Sequence, residues 1–235
     1  MMNRVGLLGV LCFCFLGLNI AVPFDYLVYA SFWAGTSCTF NTCLKNETEN
    51  LNHNFFNIHG LWPDYWQGYP AWCDGNTTIF NPEYLGPTLN NMLTRYWSGL
   101  NDSSLLFHNH EWQKHGTCWN DVDPNANTAT KMKNYFSTVL EFAVYLNIYG
   151  VLEANRITPR EESYNLSAFT NLFNLYWKPN TYLLECITDA NKNQYLNAVY
   201  VCLDLNMRIQ ECPPNFAAYF TQCTSDQIYY LPLLI

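Results

Sequence analysis

The chain has 235 residues, of which 49% are hydrophobic, 17% aromatic and only 13% charged. That content, with no long charge run, argues against a disordered chain and can bury one sizeable core, so a single large domain is the economical expectation. A net charge of −8 excludes tight holding of nucleic acid through its phosphates, but not brief contact with one or two of them.

At the N-terminus Arg4 precedes an uncharged apolar run over residues 5 to about 20, and the composition switches abruptly at Pro23. The run is short for a membrane span and reads as a signal peptide over residues 1–23, cleaved between about 20 and 25. The domain proper is then 24–235, with a net charge of −9 once Arg4 is lost. An acidic chain is repelled by a polyanion at neutral pH, which hints at an acidic working compartment.

Residues 24–33 are aromatic and β-branched and predict a first strand. A cysteine-rich loop with a sequon is expected over residues 34–54, and a second strand over 55–61, ended by Trp62-Pro63-Asp64. Residues 64–82 are turn-rich, with Tyr65, Trp66, Tyr69 and Trp72 in a loop-like context. Leu89, Met92, Leu93 and Tyr96 give helical spacing over 85–97. Residues 128–149 predict one long helix ended by Gly150, and 163–177 another. Strands are expected over 182–187 and 196–205. Together these elements predict one α+β domain.

Cys12 and Cys14 leave with the leader, and eight cysteines remain. An even count behind a signal peptide predicts four disulfides, for which 105 pairings are possible. A zinc site is disfavoured because no Cys-x-x-Cys pair occurs. Asn46, Asn76, Asn101 and Asn165 each open an N-glycosylation sequon.

Two segments concentrate the chemistry: Phe56-Asn57-Ile58-His59-Gly60-Leu61-Trp62-Pro63 and His110-Glu111-Trp112-Gln113-Lys114-His115-Gly116-Thr117-Cys118. On a helix, His110, Glu111, Lys114 and His115 share one face, a cluster costly to desolvate for structure alone. His110 and His115 are five residues apart, roughly 140° around a helix, with a cationic lysine between them. Zinc ligands belong four apart, so a metal centre is disfavoured. What remains is acid–base chemistry between two histidines, with a lysine and a glutamate beside them. His59 would face the helix across a cleft, and Cys73 and Cys118 follow the two segments closely enough to tie them. His53 and His108 have no such role, and Trp112 is expected in the core.

These two segments resemble the active-site segments of the ribonuclease T2 family at every defining position. The likeness extends more loosely over residues 24 to about 223, including Phe24-Asp25-Tyr26 and the eight-cysteine layout. It implies a central antiparallel sheet packed against several helices, with disulfides Cys38–Cys43, Cys73–Cys118, Cys186–Cys223 and Cys202–Cys212. It also implies an endoribonuclease of low base specificity and acid optimum, working without a cofactor or metal on single-stranded RNA. His115 becomes the base and His59 the acid of the first step, Glu111 and Lys114 the transition-state stabilisers, and His110 a phosphate contact. Trp62 is expected against a catalytic histidine or the ribose.

For base binding, Phe107 matches an aromatic that precedes the family's second segment, and Asp64, Tyr65, Trp66 and Tyr69 are candidates for a second pocket. The family carries Gln-x-Trp-Pro or Gln-Trp-Pro near its first strand. Here Ser31-Phe32-Trp33-Ala34 puts Phe32 for the glutamine and Ala34 for the proline, which opens the base preference, and Trp33 is assigned to the substrate site. The resemblance further implies secretion or residence in a lysosomal or vacuolar lumen, as a monomer with no membrane or obligate protein partner. The alternative is a secreted glycoprotein of the same fold with a storage or interaction role, against which both histidines argue.

Overall fold

The computed structural model describes residues 24–119 and 125–234, so the predicted leader lies outside the described residues. Along the chain β1 (Tyr26–Phe32) is followed by α1 (Ala34–Phe40), α2 (Lys45–Thr48), β2 (Asn57–Asp64), α3 (Gly86–Tyr96) and α4 (Ser104–Lys114). Then come α5 (Thr128–Leu146), α6 (Ile148–Ala154), β3 (Tyr164–Asn165), α7 (Leu166–Trp177), β4 (Tyr182–Thr188), β5 (Gln194–Leu203) and β6 (Gln227–Tyr229). β2, β1, β5, β6 and β3 lie in that order across one sheet, and β4 also pairs with β5. Its pairs are antiparallel except β5 with β6, which is parallel.

β1 shows why the sheet has two unlike faces. Successive side chains alternate, so Leu27 and Tyr29 enter the main core while Tyr26, Val28 and Ala30 enter a smaller cluster on the other face. Helices cover the first face. α5 supplies Met132, Tyr135, Phe136, Val139 and Leu140, all essentially fully buried, and α7 supplies Phe169 and Phe173. Each such side chain contributes roughly 1.5–3 kcal/mol of transfer free energy, so α5 anchors the domain. The second face, with Leu183, Ala198, Tyr200 and Phe216, is left open enough to carry a cleft.

Three expectations are corrected. Residues 34–54 hold two short helices, α1 and α2, because the Cys38–Cys43 disulfide closes a tight cap over Ala34 and Leu51. The long helix does not run to Gly150. Asn147 adopts a left-handed conformation (φ 39°), ends α5, and caps α6 by accepting from the Gly150 N–H. β2 continues through Trp62-Pro63-Asp64, which is tolerated because β2 is an edge strand and Pro63 need not donate outward. Thr128–Ala154 has the length and composition of a membrane span, but more than half of it is buried and those apolar side chains form the core just described. The four disulfides pair as the resemblance implies, Cys202–Cys212 nested inside Cys186–Cys223.

Candidate active site

The site begins with a fault in strand register. Ala30 pairs with Gly60 but Ser31 pairs with Ile58, so His59 is the extra residue of a β-bulge. Ile58 and Leu61 fill the helical core, while His59 and Trp62 both emerge on the open face. Strict alternation would send one of that pair inward; the bulge re-aims His59. The kink is fixed from behind. Trp97 Nε1 donates to the His59 carbonyl (3.0 Å), the Tyr135 hydroxyl donates to the Leu61 carbonyl (3.1 Å), and Asn57 exchanges two hydrogen bonds with Ser98.

α4 delivers the second segment. Glu111 is fully buried, His110 is exposed, Lys114 is half-buried, and His115 caps the last turn. A Cβ at position 60 would lie 2.2 Å from Glu111 Oε2 and 2.7 Å from Trp62 Nε1. Gly60 therefore leaves the gap in which the carboxyl sits. There Trp62 Nε1 donates to Glu111 Oε2 (3.0 Å), and Glu111 Oε1 lies 3.6 Å from His59 Nε2. The Trp62 ring stacks on His115 (5.2 Å, 24°) and meets His59 edge-on (4.9 Å). The Cys73–Cys118 disulfide and the Trp72 N–H donating to the Lys114 carbonyl (3.2 Å) hold the 64–75 loop against this helix end. Tyr69 and Trp72 then lie 5.7 and 5.8 Å from Lys114 Nζ, at cation–π range.

Desolvation pushes the Glu111 carboxyl up to about 8, against the opposing pull of the Trp62 N–H and Lys114. Burial, then the charges of His110 and Lys114, lowers His59 to about 4. Its side chain is still 37% exposed, so water offsets part of the burial effect; the two positive neighbours hold the direction. His115 is lowered well below the usual histidine range by burial first, then by Lys114, His59 and His110. Protonation there would also add charge to a ring whose buried Nδ1 has no hydrogen-bond partner. The arrangement offers one neutral imidazole, one exposed to whatever anion enters, and a carboxyl that keeps its proton.

The profile of the Ribonuclease T2 family matches residues 24–212. The chain belongs to the ribonuclease T2 family. It is 30% identical over 207 residues to the extracellular ribonuclease LE of Solanum lycopersicum, covering 85% of each chain. It is 29% identical over 197 residues to the intracellular ribonuclease LX of the same plant, covering 81% of this chain and 78% of that one. Among solved structures, RNase NT in complex with 5′-AMP superposes with a TM-score of 0.72 at 26% identity, over 89% of this chain and 98% of that one. Membership of this ribonuclease T2 family supports endoribonuclease activity in general, and its members are found both outside and inside cells.

Two pockets flank the histidines. One, about 370 Å³, is lined by His59, Trp62, Asp64, Tyr65, Tyr69, His110, Glu111, Lys114 and His115, with Tyr26, Trp66, Tyr219 and Phe220. Asp64 accepts from the Tyr26 hydroxyl (2.8 Å), and Trp66 stacks on Tyr26. The other, about 590 Å³, is reached past His59 and His110 and is walled by Phe32, Phe107 and Tyr200. Phe107 lies 5.5 Å from His59 and Phe32 5.6 Å from it.

Trp33 is corrected. It is 1% exposed, packs among Phe56, Tyr149 and Tyr230, and its Nε1 donates to the Leu231 carbonyl. The cause is strand alternation: Phe32 faces the cleft, so its neighbour turns into the core. Phe32, which stands where the family has its glutamine, lines the larger pocket, whereas Tyr200, Glu185, Tyr219 and Phe220 are site residues that the sequence reading does not name. Phe32 carried a signal, since it continues the Tyr26-Val28-Ala30 face; the others carry no motif. His108 is a satisfied core residue whose Nε2 bonds the Trp97 carbonyl, and Trp112 is buried. All four sequon asparagines are exposed.

Proposed function

We propose that the protein is an endoribonuclease that cleaves single-stranded RNA by metal-independent transesterification, with low base specificity and an acid optimum. The observation that carries this is the contact of Trp62 with both His59 and His115, with the buried Glu111 carboxyl held by Trp62 beside His59 and Lys114 lining the same pocket. His115, whose burial favours the neutral ring, takes the proton of the ribose 2′-OH as that oxygen attacks phosphorus. Protonated His59 gives its proton to the departing 5′-oxygen as the P–O5′ bond breaks, leaving a 2′,3′-cyclic phosphate. Water then adds to phosphorus with the proton transfers reversed, the P–O2′ bond breaks, and a 3′-phosphate results.

Lys114 opposes the charge gathering on the phosphorane oxygens, and the Glu111 proton is available to the same oxygens or to His59. His110 contacts the phosphate. An arriving phosphate also raises the pKa of His59, so the substrate itself loads the acid. Tyr65 and Tyr69 would stack one base beside the Asp64 carboxyl, and Phe107 would stack the other. The eight paired cysteines, the predicted leader and the exposed sequons support a glycoprotein exported or held in a lysosomal or vacuolar lumen, which we take to act as a monomer.

The test is digestion of single-stranded RNA by the purified glycoprotein from pH 4 to 8, with and without EDTA. Cleavage strongest at acid pH and indifferent to chelator is expected, ending in 3′-phosphates. His59→Phe and His115→Phe should each abolish it while the fold persists. Cleavage that stops with EDTA, or that survives either substitution, would refute the reading.

A further inference from the structure

Glu185 sits where the proton-transfer scheme has no use for it. It lies on β4 and opens into the 590 Å³ pocket with Phe32, Phe107 and Tyr200. The Tyr200 hydroxyl donates to its Oε2. No lysine or arginine is paired with it among the described residues, so this carboxyl is a half-buried acceptor with no cation to satisfy it. Burial raises its pKa against the pull of that hydrogen bond. A tie between strands would need only a neutral partner for Tyr200; a carboxyl facing a pocket adds acceptor capacity that the protein leaves unused.

The surrounding geometry makes this a built wall. A second register fault pairs Glu185 with Ala198 but Cys186 with Leu196, so Asn197 is bulged, and it too lines the pocket while accepting from Ser37 (3.3 Å). Tyr200 is 6% exposed and its ring packs against Trp62 (5.9 Å) and Phe220 (4.1 Å), both of the other pocket. Tyr200 is thus the partition between the two pockets, with its hydroxyl on the Glu185 side. His115 lines only the smaller pocket, whereas His59 lines both. If His59 protonates the leaving 5′-oxygen, the leaving nucleoside extends into the larger pocket.

We propose that Glu185, oriented by Tyr200, is a specificity-determining residue that selects a leaving nucleoside whose base carries an amino group, guanine above the rest. This rests on the ribonuclease reading and on its assignment of the acid to His59. Guanine offers adjacent N1–H and N2–H donors to the two carboxyl oxygens, adenine and cytosine offer an amino group beside an acceptor nitrogen, and uracil presents two carbonyl oxygens flanking one N–H. A carboxylate attracts the first and repels the last. A site built around a hydrogen bond discriminates against the substrate that lacks it more strongly than an apolar slot can.

The measurement is kcat/KM at pH 7, above the acid range in which a carboxyl raised by burial tends to keep its proton, for the dinucleoside monophosphates ApG, ApA, ApC and ApU, beside a single-stranded RNA control. ApG should be cleaved fastest and ApU slowest, with a ratio on the order of tenfold to a hundredfold. Glu185→Gln should collapse that ratio toward unity, and Tyr200→Phe, which keeps the ring on Trp62, should lower it partway. A purely structural role would change all four substrates alike. Equal wild-type rates for ApG and ApU, or a ratio unmoved by Glu185→Gln, would overturn the proposal while RNA cleavage still stood. Absence of cleavage of RNA itself would instead remove the ribonuclease reading. Should Glu185→Gln fail to fold, the wild-type ratio and its response to Tyr200→Phe decide, and an unmoved ratio counts against the proposal.

Discussion

Replacing Glu111 by Gln should make the protein more stable near neutrality while removing most of its activity. The carboxyl is fully buried and is held up at about 8 against an ordinary value of 4.5. Between those pH values the unfolded chain has released this proton and the folded chain has not. The folded state therefore binds more protons, and stability is lost as pH rises through the window. At pH 7 the charge has been given up across two and a half pH units, which at 1.36 kcal/mol each costs the native state about 3 kcal/mol; at pH 4.5 the cost is close to zero. The glutamine carbonyl can still accept from Trp62 Nε1 and does not titrate, while its amide adds a donor where Oε1 now has no hydrogen-bond partner. That penalty, roughly 1–3 kcal/mol, does not depend on pH.

The decisive quantity is consequently the slope. Thermal unfolding followed by circular dichroism, with disulfides intact, should show the variant gaining on the wild type steadily from pH 4.5 to 8. The full swing corresponds to something on the order of 10 °C in Tm for a domain of this size. A Tm difference that stays flat, or falls as pH rises, would mean that Glu111 ionises normally in the folded protein, and the neutral-carboxyl argument would fail.

Gly60→Ala should drive a methyl into Glu111 Oε2 and the Trp62 indole, costing about 1–3 kcal/mol of stability by overpacking and far more activity than stability, read by unfolding and RNA digestion side by side; wild-type turnover would contradict the fit. Lys114→Met should slow cleavage by about a hundredfold or more, as loss of one charge-stabilising donor does. It should also raise the pKa values of His59, His110 and His115, because Lys114 lowers all three; histidine proton NMR titration of the variant would show this, and downward shifts would be inconsistent with it. Salt should matter little. Lys114 is the only lysine or arginine lining either pocket among the described residues, so a slope of about −0.7 for each phosphate contacted predicts that KM for RNA rises only about threefold to sevenfold between 50 and 200 mM salt; a thousandfold rise would require an extended basic track.

Much of this was legible in the residues themselves. The aromatic and β-branched run over residues 24–33 announces β1, which proves to have apolar residues on both faces, and helical spacing from Met132 to Ala143 announces the helix beneath the sheet. What escaped depends on a second piece of chain. The bulge that turns His59 outward exists only in the register between β1 and β2, and one strand's sequence does not contain it. Trp33 was placed in the substrate site by its position in a motif, although counting alternation from Tyr26 would have sent it inward and kept Phe32 in the cleft. Asn147 breaks the long helix because its side chain caps the next turn, an outcome that apolar periodicity cannot register. Glu185 and Tyr200 belong to no motif and become site residues only because β5 lies beside β1 and carries Tyr200 behind Trp62.

The motif around His59 can now be understood mechanically as well as chemically. Its glycine leaves room for a carboxyl, and its tryptophan donates to that carboxyl while stacking on His115. A strand fault lets His59 and Trp62 face the same way. Each feature alone would be unfavourable: a bulge weakens an edge strand, a glycine leaves its backbone less restrained, and a buried carboxyl without a cation partner is forced to keep its proton. Together they hold a protonated acid next to two imidazoles that burial and one lysine keep from charging. Such a set is incomplete until an anion arrives. In the proposed reaction the phosphate would supply the negative charge that His59 needs to hold its proton, and a chain of net charge −8 could then act on a polyanion by attracting one phosphodiester group at the moment of transfer.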